Sequence, residues 1–177
     1  MVADAALSKE GGQTTMKNFN AVNNQIVLLN NHILFNASNC QCRCRGNSKV
    51  YHDDGSGVFI LSGRNNSNNS NGNEYQVTFN GNIAIPTGGT VGPIAVAIML
   101  NGETEFESRS IFTPAAVDEY GNVTSKTVIK VPKCCGCFAM SVDYVSGVVN
   151  DPAAVPAPSI LVENGNLTID GKESFGC

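Results

Sequence analysis

The sequence contains no tryptophan and only 2 histidines, and charged residues make up just 15% of its 177 positions. Two histidines leave little material for imidazole-based acid–base chemistry or a histidine-built metal site. Lys and Arg number 11 against 15 Asp and Glu, and the one local basic pair is Arg43 with Arg45. Without a basic stripe the chain lacks the footprint of a nucleic-acid binder. Long apolar runs are missing too. The longest, Pro93 to Leu100 (PIAVAIML), falls far short of the roughly 20 residues that a membrane helix needs. The start, MVADAALSKEGGQTT, carries Asp4, Lys9 and Glu10 and no apolar stretch of signal-peptide length. That predicts a protein made in a cytoplasm and kept there unless an unconventional route or lysis releases it. No phosphate loop, dinucleotide fingerprint or GxSxG occurs, and no segment sustains a helical period.

What is present favours strands. Hydrophobic residues reach 42%, enough for one packed core, and 18 glycines, 7 prolines and many asparagines place turn formers at short intervals. Gln25 to Phe35 (QIVLLNNHILF) reads as one strand broken by an Asn pair, or as two short ones. Gly57 to Ser62 is a short apolar strand. Glu74 to Ile85 alternates at Tyr75, Val77 and Phe79, with a bulge expected at Asn80-Gly81. Pro93 to Leu100 is apolar on both faces and runs into Asn101-Gly102, a strong hairpin signal, with Glu103 to Phe112 as the returning strand. Val123 to Val131, Phe138 to Val145 and Ser159 to Ile169 follow, the last kinked at Asn164-Gly165. About eight strands at this spacing predict an all-β fold, a single jelly-roll sandwich. Met16, opening MKNFNAVNN, makes the preceding residues look like an extension. Residues 1–20 are accordingly expected to be a short N-terminal arm, flexible or ordered by assembly, and 21–177 the jelly-roll domain.

The cysteines are the sharpest chemical feature. Cys40, Cys42 and Cys44 share one face of an extended backbone, and Cys134, Cys135 and Cys137 precede a strand. Three readings stay open: disulfides between the two groups, a thiolate site for zinc or an iron–sulfur centre, or free thiols. Cys177 is left over. A catalytic centre or a bound cofactor is not expected. His32 sits in an apolar strand pattern and reads as a core or rim histidine. His52-Asp53-Asp54-Gly55 reads as a turn, Thr87-Gly88-Gly89-Thr90 as a hairpin loop, and Glu103, Glu105 and Glu107 as an exposed strand face. Pro114 to Glu119 has room for one helical turn. The polar run from Arg64 to Asn73 (RNNSNNSNGN) predicts an exposed loop, in which Asn65, Asn68, Asn71 and Asn73 are candidate binding residues. Phe79, Phe138 and Tyr144 supply more aromatic area than one sandwich covers, so they are candidates for an oligomer interface.

The runs YQVTFNGNIAIPTGGTVGPIAVAIMLNGE, TPAAVDEYGNVTSKTVIKVPKCCGCFAMSV and ILVENGNLTI resemble a family of phage and prophage virion proteins of gut Bacillota with a TNF-like jelly-roll domain. The resemblance spans roughly residues 22–169, and the same order of elements occurs in the jelly rolls that cap collagen-like exosporium proteins. It implies a homotrimer in the virion, a capsid decoration or head-fibre protein in contact with the major capsid or other virion proteins. Two alternatives share the resemblance: a tail-associated module or adhesin that binds a host-surface glycan, and a spore-surface protein.

Overall fold

The computed structural model describes residues 14–36, 50–63, 72–133, 136–148 and 155–173. Its strands are β1 (Thr14–Asn20), β2 (Gln25–Leu28), β3 (Val50–His52), β4 (Val58–Ser62), β5 (Asn73–Ala84), β6 (Ile94–Leu100), β7 (Glu103–Thr104), β8 (Ser110–Phe112), β9 (Gly121–Val131), β10 (Cys137–Ser146) and β11 (Ser159–Glu173). Two antiparallel sheets face each other. One runs β1-β11-β5-β9, with β2 also on β11; the other runs β3-β4-β10-β6-β7, with β8 also on β6. The architecture is an all-β jelly-roll sandwich.

The alternation of β5 shows how sequence becomes layer. Tyr75, Val77, Phe79 and Ile83 point inward and are buried, while Glu74, Gln76, Thr78 and Asn80 stand outward. The inward parity passes through Gly81 without a slip, and β5 keeps register with β9 across it. The expected bulge at Asn80-Gly81 therefore belongs to the partner strand, where β11 shifts register between Glu163 and Asn166. Gly81 is required because an added Cβ would lie 2.8 Å from Phe79 Cζ and 3.2 Å from Gly165 Cα.

Between the sheets, Phe59 gathers the aromatic core. Phe19 and Phe35 meet it edge-on at 4.8 and 5.4 Å, and the His52 ring stacks on it at 4.1 Å. Such pairs add about 0.5–1.5 kcal/mol each beyond their buried area. Tyr75 and Tyr144 are fully buried and keep their phenols satisfied by donating to Ser62 O and Ala157 O, each at 2.6 Å.

Several expectations need correction. Residues 14–20, expected in the arm, are part of the sandwich. They form β1, which registers with β11 from Thr14↔Lys172 to Asn20↔Asn166 and buries Phe19. Phe79 and Tyr144 have no exposed surface and serve this chain's own core, so they cannot form an oligomer interface. Phe138 is half-buried and packs against the same core. Asn73 belongs to β5, is 3% exposed, and donates its amide to Ser62 O at 2.7 Å rather than lining a loop. The return from β6 is broken into β7, a 3₁₀ turn at Phe106–Ser108, and β8. Ser108 causes the break: its hydroxyl accepts from Ile98 N at 2.8 Å and donates to Glu105 O at 2.6 Å, pulling the chain off the ladder. Glu103, Glu105 and Glu107 therefore share no strand face. The 87–90 segment links β5 and β6 across the two sheets, so it is not a hairpin. Residues 114–119 form a turn without a helix, closed by Glu119 Oε2, which accepts from Ala115 N and Ala116 N. The Asn101-Gly102 hairpin is as expected, with φ of +51° and +85°.

Candidate functional site

The outer face of the second sheet carries a depression of about 500 Å³. β4 pairs with β10 only as far as Ser141; beyond it the segment after β2 takes its place. Asn30 N donates to Tyr144 O at 2.8 Å, Ile33 N to Val142 O at 2.8 Å, and Tyr144 N to Asn31 O at 3.1 Å. This in-plane substitution sets His32 opposite Asp143. Their side chains meet at 2.7 Å, Nδ1 to Oδ1, with the imidazole 46% and the carboxylate 5% exposed. Val58, Met99, Ala139 and Val145 form the apolar walls, and Thr104 and Ser141 supply hydroxyls. The pairing holds the ring by one nitrogen and turns a half-exposed imidazole toward solvent. No hydrogen bond joins Ser141 to His32 among the described residues, so the pair lacks the nucleophile–base contact of an acyl-transfer centre.

A second depression, about 430 Å³, lies where β1 passes into β2. The β11 bulge builds it. Asn164 sits in the left-handed region at φ +50°, and Gly165 approaches so closely that a Cβ would lie 2.7 Å from Ala21 Cβ. Among the described residues its lining is Asn20, Ala21, Asn23, Asn36, Asn164, Gly165 and Asn166, five amides and no charge. Asn164 N donates to Asn23 Oδ1 at 3.3 Å, and Asn166 Nδ2 to Asn20 Oδ1 at 3.2 Å. Asn36 is tied in through its backbone, N to Asn20 O at 2.9 Å.

Of the candidates named from sequence, Cys137 is exposed at the start of β10 and has no disulfide partner among the described residues. Cys40, Cys42, Cys44, Cys134, Cys135 and Cys177, like Asn65, Asn68 and Asn71, lie outside the described residues. His32 is a rim histidine, and His52-Gly55 turns between β3 and β4 with Gly55 at φ +74°, as expected. Sequence reasoning missed Asp143 as a partner and missed the asparagine cluster. Asp143 stands in a plain alternating strand, and the asparagines are separated by more than a hundred positions.

No family model matches the sequence, and no curated relative matches it. Among solved structures, murine APRIL at pH 5.0 superposes with a TM-score of 0.54 at 13% identity, covering 91% of this chain and 100% of that one. Murine APRIL at pH 8.0 gives 0.51 at 12% identity, with coverage of 91% and 100%. The globular domain of zebrafish complement 1qA protein gives 0.48 at 8% identity, covering 90% and 98%. The fold is a TNF-like jelly roll. At these identities the likeness speaks for fold alone.

Proposed function

We propose that this chain is a structural, non-catalytic module that assembles as a homotrimer on the surface of a phage particle, as a capsid decoration or head fibre. The observation that carries the reading is a pair of unlike apolar edges. On the β2 side Ile26 is 63%, Leu28 55% and Leu34 42% exposed, and they line one depression; on the 106–112 segment Phe106 is 79% and Ile111 48% exposed. Exposed apolar side chains grouped in this way are surfaces that association covers. Two different patches at separate edges suit a heterologous contact, one edge of a chain on the other edge of the next, and rotation then closes a ring. A ring of three is the count implied by the sequence resemblance, and the virion setting rests on that resemblance as well.

The native mass of the purified chain tests the assembly, measured with and without reductant and chelator. Three chains per particle is the expected result. Loss of the trimer in reductant alone makes the cysteines its staples, and loss in chelator alone puts a thiolate-bound metal there. A stable monomer under every condition overturns the reading. Peptides of this chain in purified, lysis-released particles test the setting, and their absence overturns the virion role.

A further inference from the structure

We infer that the asparagine-lined depression at the β1–β2 junction binds a neutral oligosaccharide; this does not rest on the trimer reading. Its chemistry selects the ligand. A primary amide presents two N–H donors and a carbonyl acceptor, which matches hydroxyl groups that each donate and accept. Among the described residues, the five amides of Asn20, Asn23, Asn36, Asn164 and Asn166 line it without a charged residue. An anionic ligand would find no cation among them, and a cation no carboxylate.

The hydrogen-bonding capacity is largely unspent. Asn20 and Asn23 use only their carbonyl oxygens, toward Asn166 Nδ2 and Asn164 N. The Nδ2 groups of Asn20, Asn23, Asn36 and Asn164, and the Oδ1 atoms of Asn36 and Asn164, have no hydrogen-bond partner among the described residues. The β11 bulge holds Asn164 in the left-handed region at φ +50°, and its amide lines this place.

The same chemistry continues outward, which favours a chain of sugars over one. Asn20 registers with Asn166, Asn166 with Asn80, and Asn80 with Thr124, so one row of amides and a hydroxyl crosses β1, β11, β5 and β9. Thr124 Oγ1 donates to Asn80 Oδ1 at 3.2 Å, Thr168 Oγ1 to Asn18 Oδ1 at 2.8 Å, and Asn122 Nδ2 to Asn82 Oδ1 at 3.1 Å, which holds the side chains of this face in fixed orientations.

The test is an NMR titration of the full chain with chitotetraose, maltotetraose, cellotetraose and mannotetraose, with tetragalacturonate as the acidic comparison. Two variants leave the fold in place. Asn164→Gly keeps a residue suited to positive φ and deletes the amide, and Asn36→Ala removes an exposed side chain that has no partner. At least one neutral probe is expected to shift the signals of these asparagines, and each variant to weaken that binding by about tenfold. Failure of all four neutral probes to bind overturns the proposal. So does binding that both variants leave unchanged, or a preference for the acidic probe.

Discussion

His32 and Asp143, 111 residues apart in sequence, meet through Nδ1 and Oδ1 at 2.7 Å on the outer face of the second sheet. Asp143 is 4% exposed, so its carboxylate depends on that partner for much of what water would otherwise supply. His32→Ala should lower stability by about 1–3 kcal/mol, the cost of leaving a buried polar group unpaired. Asp143→Asn should cost less, because an amide still accepts from the ring. Urea denaturation of both single variants and the double variant measures the coupling. An additive double variant would show that the contact contributes nothing.

Gly81→Ala should be more harmful than its exposed-looking Asn-Gly context suggests. The new methyl group must displace Phe79, whose ring tip would lie 2.8 Å away, or the backbone at Gly165. Overpacking of this kind costs about 1–3 kcal/mol. Gly92→Ala is the control, since nothing lies within 4 Å of its added Cβ and its φ is not in the left-handed region. That substitution should stay within about 0.5 kcal/mol of the parent. Equal effects of the two in thermal unfolding would refute the packing argument.

The parts of the fold that were legible in sequence are those where one local rule acts alone. Alternation at Tyr75, Val77 and Phe79 and the Asn101-Gly102 turn needed no tertiary information. β1 was illegible because TTMKNFN carries too little apolar alternation; its order comes from pairing with β11, a partner about 150 residues away. The break after β7 depends on one hydroxyl, Ser108, reaching across to Ile98. The candidate sites were hidden for a related reason. His32 finds Asp143, and Asn36 approaches Asn164, only after both sheets have formed, and no spacing in the sequence encodes either meeting.

Tyr144 makes the alkaline limit of the fold predictable. Burial pushes its phenol up to about 12, from an ordinary value of 10.0. The unfolded chain therefore releases this proton first as pH rises. Stability should be flat below about pH 10, then fall until about pH 12, because the unfolded state binds fewer protons across that window. Tyr75 is raised in the same direction, by burial first, and steepens the same loss. Tyr144→Phe should flatten part of the decline. At neutral pH it should cost about 1 kcal/mol, since Ala157 O loses the donor now at 2.6 Å. Unfolding midpoints of parent and variant from pH 8 to 12 check both claims, and parallel curves would count against them.

The unlike edges make a sharper demand on assembly than mass alone. Glutamate at Ile26 and Leu28 spoils the β2 edge, and glutamate at Phe106 and Ile111 spoils the opposite one; all four side chains are exposed, so the fold should survive. In a heterologous ring each double variant loses one half of every contact, and each alone should run as a monomer. Mixed together, the intact edge of one meets the intact edge of the other. Exactly one contact can form per pair, so the mixture should yield heterodimers at high concentration and nothing larger. An isologous interface predicts otherwise: one double variant would still self-associate normally, because its self-complementary edge would be untouched. Sedimentation of each variant and of the equimolar mixture separates the two geometries. Self-association by either variant alone rejects the head-to-tail arrangement, whatever mass the parent shows.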